Sequence, residues 1–204
     1  MRQDAQIREF MQSVGPGDIG VAVSGGGDSM ALLVLLADWA KSCGRMIRVV
    51  TVDHGLRDGA KEEAEFVAAL CRHMGVTHRT LHWKNGQAKQ EKARLARHDL
   101  LADYATEIGA SALVLGHTAT DQAETFLMRA RAGSGAFGLA GMDAIAPSPV
   151  SETVILRPLL GETRPRLRNH LQGRGQVWRD DPSNLDITYE RVRMRELLAR
   201  NPAT

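Results

Sequence analysis

Cysteine is scarce in this chain. Two residues in 204, Cys43 and Cys71, stand without CxxC spacing. That pattern excludes a disulfide framework and leads us to expect a reduced, cytoplasmic setting. Long apolar runs are missing too. No stretch approaches the roughly 20 residues of a membrane span. The opening MRQDAQIREF carries acids and lacks the apolar core of a secretion signal, so no membrane partner is expected. There are no internal repeats and no low-complexity tracts, which argues against a repeat array. What is present is an ordinary globular composition, 43% hydrophobic and 25% charged, long enough for one substantial core and an extra helical segment. Nothing in it selects between a monomer and a homodimer, and both stay open.

The net charge is +2, unevenly placed. Between Arg157 and Arg200 there are ten arginines, no lysine and six acids, a local +4, which leaves −2 for the rest. A basic segment built only from arginine suits phosphate contact. A solvated helical face laced with ion pairs would read the same way.

Apolar periodicity alternates along the chain. Short strand-like runs at 19–23, 46–52, 76–83, 112–115 and 154–156 are separated by helical patterns, and further helices are expected at 4–14, 164–172 and 190–200. The alternation predicts an α/β fold, a parallel five-stranded sheet with helices on both faces and a short helical C-terminal extension. We expect residues 1–160 to form the main domain and the Arg-rich residues 161–204 to pack on it or continue it. In such a sheet, ligands bind at the carboxyl ends of the strands where the strand order reverses. The segments SGGGDS (24–29), DHGLR (53–57) and GHTATDQ (116–122) all fall at strand carboxyl ends.

SGGGDS is the most informative of them. Three consecutive glycines are poor strand or helix material. Between a strand and a helix, however, Gly25, Gly26 and Gly27 let backbone N–H groups approach an anion, and the helix N-terminus adds positive potential. Ser24 and Ser29 add hydroxyl donors. Asp28 cannot bind phosphate directly, but it suits Mg²⁺ bridging to phosphate. A Walker A loop is excluded because no Lys-Ser/Thr follows the glycines, and GxGxxG fails because Met30 takes the place of its last glycine. A serine-capped glycine turn is the plain alternative.

SGGxDS directly after a first strand resembles the loop of the N-type ATP pyrophosphatases, the PP-loop family. Further motifs narrow this: Asp53 to Arg57, Ala93 to His98, the stretch 116–142, Arg157-Pro158-Leu159-Leu160, Asp180 to Asp186, and Arg191 to Arg195. In this order, from about Asp18 to Leu198, they resemble the tRNA(Ile)-lysidine synthases. Thr120 stands where members carry a first acid, Ala132 where they often carry Arg, and Val192 where they carry Asn.

The resemblance implies an adenine nucleotide alpha hydrolase-like, Rossmann-like fold and a ligase using ATP and Mg²⁺. Such an enzyme adenylates the wobble cytidine of a tRNA with anticodon CAU, and free L-lysine then displaces AMP to give lysidine. On this reading Ser24, Gly25, Gly26, Gly27, Asp28, Ser29, Asp53 and His54 contact ATP, with Asp28 also holding Mg²⁺. Asp121 and Glu124, neighbours on one helix face, bind lysine. Asp28, Asp121 and His117 serve catalysis, with a general-base role weighed for His54 and His117. Arg94, Arg97, Arg191, Arg193 and Arg195 meet tRNA. For each there is a plainer role: helix N-terminal charge for Asp121 and Glu124, strand-end caps for Asp53 and the histidines, and solubility for Arg94 and Arg97. Most members continue past the position of Thr204 into helical domains that grip tRNA, so this stretch alone is expected to bind tRNA more weakly. Two other readings stay open: a different PP-loop tRNA-modifying enzyme, such as one thiolating cytidine, and a non-catalytic nucleotide- or RNA-binding module.

Overall fold

The computed structural model describes residues 2–12, 14–55, 59–83, 90–135, 139–180, 186–188 and 190–200, with side chains for all of these but 2 and 90–94. The elements run α1 (Arg2–Met11), β1 (Asp18–Ala22), α2 (Gly27–Cys43), β2 (Ile47–Asp53), α3 (Gly59–Met74), β3 (Thr77–His82), α4 (Gln90–Glu107), β4 (Ala110–Leu115), α5 (Ala119–Arg131), β5 (Ile145–Pro147), β6 (Val154–Leu156), α6 (Arg164–Gly173) and α7 (Glu190–Arg200). No helix among the described residues is long and apolar enough to cross a membrane.

The sheet order is β3-β2-β1-β4-β6-β5. From β1 the chain steps outward through β2 to β3, then returns by α4 to β4 on the other side of β1. The order therefore reverses between β1 and β4, and the crevice at their carboxyl ends is where such a fold presents its site.

Period-two alternation sorts the residues of β1, β2, β4 and β6 between two cores. Ile19, Val21, Ile47, Val49, Ala112, Val114 and Leu156 face the larger cluster, which also takes residues of α1, α2, α3 and α6. Ala22, Val50, Leu113, Leu115 and Ile155 face the smaller one with Leu101 and Tyr104 of α4. Helices thus cover both faces, as the alternation predicts. α2 is apolar nearly all round because it is enclosed: Met30, Ala31, Leu32, Leu33, Leu35 and Leu36 are at most 1% exposed. Leu167 and Leu171 of α6 belong to the same cluster.

The sheet departs from the expected one at its edge. It has a sixth strand, β5, which pairs antiparallel with β6 (Ile145 opposite Leu156, Pro147 opposite Val154). This strand carries no pattern to read. It is three residues long, its Ile145 is exposed, and Pro147 suits an edge that lacks a further neighbour. Only the partner strand specifies it.

Because Leu32 is fully enclosed, Leu32→Ala should cost about 2–5 kcal/mol of stability. Urea denaturation checks this, and a loss well below that range would mean α2 is not the packed centre of the fold.

Candidate active site

The loop between β1 and α2 is built for backbone contact. Gly25 has φ of +89°, a conformation L side chains rarely adopt. Gly26 caps α2, and Gly27 and Asp28 open it. The two serines meet across the turn: the Ser24 N–H donates to Ser29 Oγ at 3.2 Å, the hydroxyls lie 3.2 Å apart, and Ser29 Oγ donates to the Gly26 carbonyl at 2.9 Å. β4 ends against this loop. A Cβ on Gly116 would sit 3.1 Å from Ser29 Cα and 3.3 Å from Ser29 N. A side chain here would push the end of β4 away from the first turn of α2.

Beside the loop, α5 begins with Thr118 as its cap. Asp121 Oδ2 accepts from both the backbone N–H and the hydroxyl of Thr118, each at 2.8 Å. Asp121 therefore does cap the helix, with one oxygen, while Oδ1 faces the crevice. Glu124, one turn on, is 0% exposed. A buried carboxylate requires charged or hydrogen-bonding partners, and three arginines supply them. Arg191 Nε donates to Glu124 Oε2 and Arg195 Nε to Glu124 Oε1, both at 2.7 Å, while Arg191 Nη2 reaches Asp121 Oδ1 at 3.1 Å. Arg164 Nε donates to Asp28 Oδ2 at 2.9 Å, with its terminal nitrogens 3.3 Å from Asp121 Oδ1 and 3.5 Å from Glu124 Oε1. The fold thus brings Asp28, Asp121 and Glu124 together, as their motif positions implied, and places Arg191 and Arg195 on the acid pair.

The electrostatics follow. Burial pushes the Asp121 carboxyl up, but Arg191 and Arg164, with the Thr118 bonds, outweigh it and hold the group below the usual range. At Asp28 burial wins over Arg164, and the carboxyl is raised. His117, after β4, accepts from Arg157 Nε on Nδ1 at 3.2 Å. Arg157 has only donors, so in the neutral ring the proton belongs on Nε2. Burial, with the charges of Arg157, Arg97 and Arg191 added and Asp121 opposing, pushes His117 down to about 4. In this arrangement the neutral His117 presents its Nε2–H as a donor, with the Nδ1 lone pair taken up by Arg157.

The remaining sequence candidates are more dispersed. Asp53 Oδ1 accepts from the Gly55 N–H at 2.9 Å, and Oδ2 lies 3.3 Å from His82 Nδ1. His54 meets Trp83 edge to face. Arg97 is exposed, and its charge registers at His117. Arg193 Nη1 donates to the Ile187 and Thr188 carbonyls, away from the acids. The Arg94 side chain, Leu56 and Arg57 of DHGLR, residues 136–138 of the glycine-rich loop and 181–185 lie outside the described residues. Gln122 anchors the far end of the glycine-rich loop, pairing with both the N–H (2.7 Å) and the carbonyl (2.6 Å) of Met142.

Sequence reasoning missed Arg164, Arg157 and Gly116 as site residues. Arg164 was read only as part of a block of charge, and Arg157 and Gly116 only as parts of longer motifs without a role. The signal available was an Arg pair at i, i+4 (Arg191, Arg195) matching an acid pair at i, i+3 (Asp121, Glu124).

Among the described residues no group of three or more His, Cys, Asp or Glu side chains could hold a metal ion. Mg²⁺ at a phosphate loop needs less: one or two carboxylates, with phosphate and water oxygens completing the shell. Asp28 fits that donor set.

The family model described as a PP-loop domain matches residues 1–201. Curated relatives include the tRNA(Ile)-lysidine synthase of Hyphomonas neptunium, 50% identical over 184 residues, covering 88% of this chain and 50% of the relative. That of Zymomonas mobilis is 43% identical over 203 residues, covering 96% of this chain and 60% of the relative. The chain thus spans about half to three fifths of the length of these relatives. A solved U34-tRNA thiolase from Methanococcus maripaludis superposes with a TM-score of 0.81 at 15% identity, covering 98% of this chain and 72% of that one. An NH3-dependent NAD synthetase from Campylobacter jejuni gives 0.55 at 13%, covering 100% and 96%. Both structures share the fold.

Two outcomes follow from the site. Glu124→Ala removes the buried acceptor shared by three guanidiniums. Arg191 and Arg195 keep access to water, so the loss should be about 1.5–3 kcal/mol and not the larger cost of a fully buried orphaned charge. Chemical denaturation measures it, and a neutral effect would mean the cluster does not organise α6 and α7. The His117 imidazole should titrate near pH 4 in the folded chain by NMR, and Arg157→Met should move it upward. The unfolded ring takes its proton near pH 6.5. His117 therefore favours folding fully above pH 6.5, and that contribution is lost as pH falls toward 4. A midpoint at the ordinary value would contradict the burial and the Arg157 contact.

Proposed function

We propose, from the premise that this chain belongs to the PP-loop domain family, that it uses ATP to adenylate the C2 oxygen of the wobble cytidine in a CAU-anticodon isoleucine tRNA and joins the activated carbon to the ε-amine of L-lysine. Pyrophosphate leaves in the first step and AMP in the second, giving lysidine. The curated relatives bear the name of this activity. The observation that carries the reading is the linkage of a phosphate-type loop to an acid pair by one guanidinium, Arg164, in a single crevice.

Each part has a chemical task. Adenylation of a carbonyl oxygen depends on in-line placement and charge neutralisation. The amides of Gly25 to Ser29 and the hydroxyls of Ser24 and Ser29 offer contacts to the triphosphate. Asp28 would hold Mg²⁺, which supplies positive charge to the phosphates. Asp53 and His54, at the end of the neighbouring strand, border the nucleotide. The neutral His117, held by Arg157, donates from Nε2 and does not accept the proton. Asp121 and Glu124 take the α-ammonium of lysine, leaving the ε-amine to attack as a neutral nucleophile. Exposed Arg97 and Arg193, with Arg94, offer charge to tRNA phosphate. Arg191 and Arg195, each guanidinium carrying five N–H groups, are further candidates for it. Residues 161–204 complete the catalytic unit of 1–160 by delivering Arg164, Arg191 and Arg195.

Thiolation finds less support. Cys71 is buried, with its thiol pushed up to about 11 by that burial. Cys43 lies at the end of α2 opposite the loop and donates to the Trp39 carbonyl.

The test is incorporation of labelled lysine into CAU-anticodon isoleucine tRNA by the 204-residue chain with ATP and Mg²⁺. We expect incorporation that disappears when the wobble cytidine is replaced by uridine. Incorporation indifferent to that base, or none under conditions where ATP binds, would overturn the assignment.

A further inference from the structure

Arg164 is an unusual residue to open a helix. It is the first residue of α6, where a cation opposes the helix dipole, and no acid stands in that first turn. Its partners lie on other elements. It reaches Asp28 at the phosphate loop and both Asp121 and Glu124 on α5, while only 20% exposed. Arg191 and Arg195 add two guanidiniums to the α5 pair and are 42% and 26% exposed.

Charge balance limits what can enter. Three carboxylates face three guanidiniums, so the cluster is neutral as it stands. An arriving ammonium finds no surplus negative charge at Asp121 and Glu124 and must displace a guanidinium. A displaced, largely buried guanidinium needs a new anion close by. Arg191 and Arg195 lead toward solvent. Arg164 leads toward the loop, because its Nε is already bound to Asp28, directly after Gly27.

We propose that Arg164 is a positioning residue that makes lysine binding conditional on bound nucleotide. With phosphate in the Gly25–Ser29 loop, its guanidinium turns from Asp121 and Glu124 to a phosphate oxygen, and the position it leaves beside the two carboxylates, which Arg191 and Arg195 still contact, takes the α-ammonium of lysine. Without nucleotide, the same guanidinium fills the lysine subsite. The ammonium replaces the guanidinium charge at the acid pair, and the phosphate takes up the guanidinium. The proposal rests on the lysidine reading above. It orders the two small substrates.

The coupling is measurable without turnover. L-lysine is titrated calorimetrically into the chain, alone and with Mg²⁺ and α,β-methylene-ATP, which cannot be cleaved at the reacting bond. The nucleotide analogue should tighten lysine binding about 5–150-fold, and lysine should tighten the analogue by the same factor. In Arg164→Gln that ratio should fall to near one, with lysine binding in the absence of nucleotide already improved. Arg164→Lys, a compact charge unable to span three carboxylates, should give an intermediate ratio. Circular dichroism establishes that each variant is folded; if the Gln variant is not, the Lys variant decides. A wild-type ratio of one, or a full wild-type ratio in the variants, overturns the proposal while leaving lysine as substrate. No lysine binding to any form, with or without the analogue, overturns the lysidine reading and this proposal with it.

Discussion

The structure of the site depends on one constraint: Glu124 is a carboxylate with no exposure to water. Such a group is stable only with partners, and no partner lies near it in sequence. Arg164, Arg191 and Arg195 come from 40 to 71 residues further along the chain. Meeting that need draws the start of α6 and one face of α7 onto α5. Asp121, tied to Thr118 by one oxygen, shares Arg164 and Arg191 through the other. Arg164 then carries the network across to Asp28. Electrostatic pairing and apolar packing agree here, since Leu167 and Leu171 fix α6 on the core.

Topology supplies the other half. The return of the chain from β3 to β4 places two strand ends side by side; Gly25, with its positive φ, turns the loop after β1, and Gly116, with no Cβ to strike Ser29, lets β4 end against the start of α2. The phosphate-type loop and the start of α5 therefore border one crevice. His117 sits at that border, with burial and surrounding guanidiniums keeping it neutral.

Much of this was readable from residues alone. The alternation of apolar runs specifies the parallel sheet and its covering helices because β1, β2 and β4, at its centre, are buried on both faces. SGGGDS announces its loop because few other uses explain three glycines between a strand and a helix. Asp121 and Glu124 are adjacent by helical spacing. What could not be read has a common cause. The guanidiniums of the Arg-rich segment have the same local sequence whether they face solvent or a buried acid, and only tertiary packing decides. Val192 and Met194, both 7% exposed, show which way α7 turns, yet Val192 in sequence appears merely as a departure from the pattern of the synthases. β5 was invisible for a similar reason, since three residues ending in proline carry no period. Gly116 looked like any glycine after a strand until the Ser29 backbone was found 3.1 Å from where its Cβ would be.

The central claim is that one crevice receives both a nucleotide and an amino acid, joined by the acid–guanidinium cluster. The most direct measurement is a crystal structure of the chain with α,β-methylene-ATP, Mg²⁺ and L-lysine. The account predicts the triphosphate on the Gly25–Ser29 amides and the lysine α-ammonium on Asp121 and Glu124, with Arg164 withdrawn from both. Lysine bound elsewhere, or Asp121 and Glu124 still held by Arg164 beside a filled nucleotide site, would contradict it.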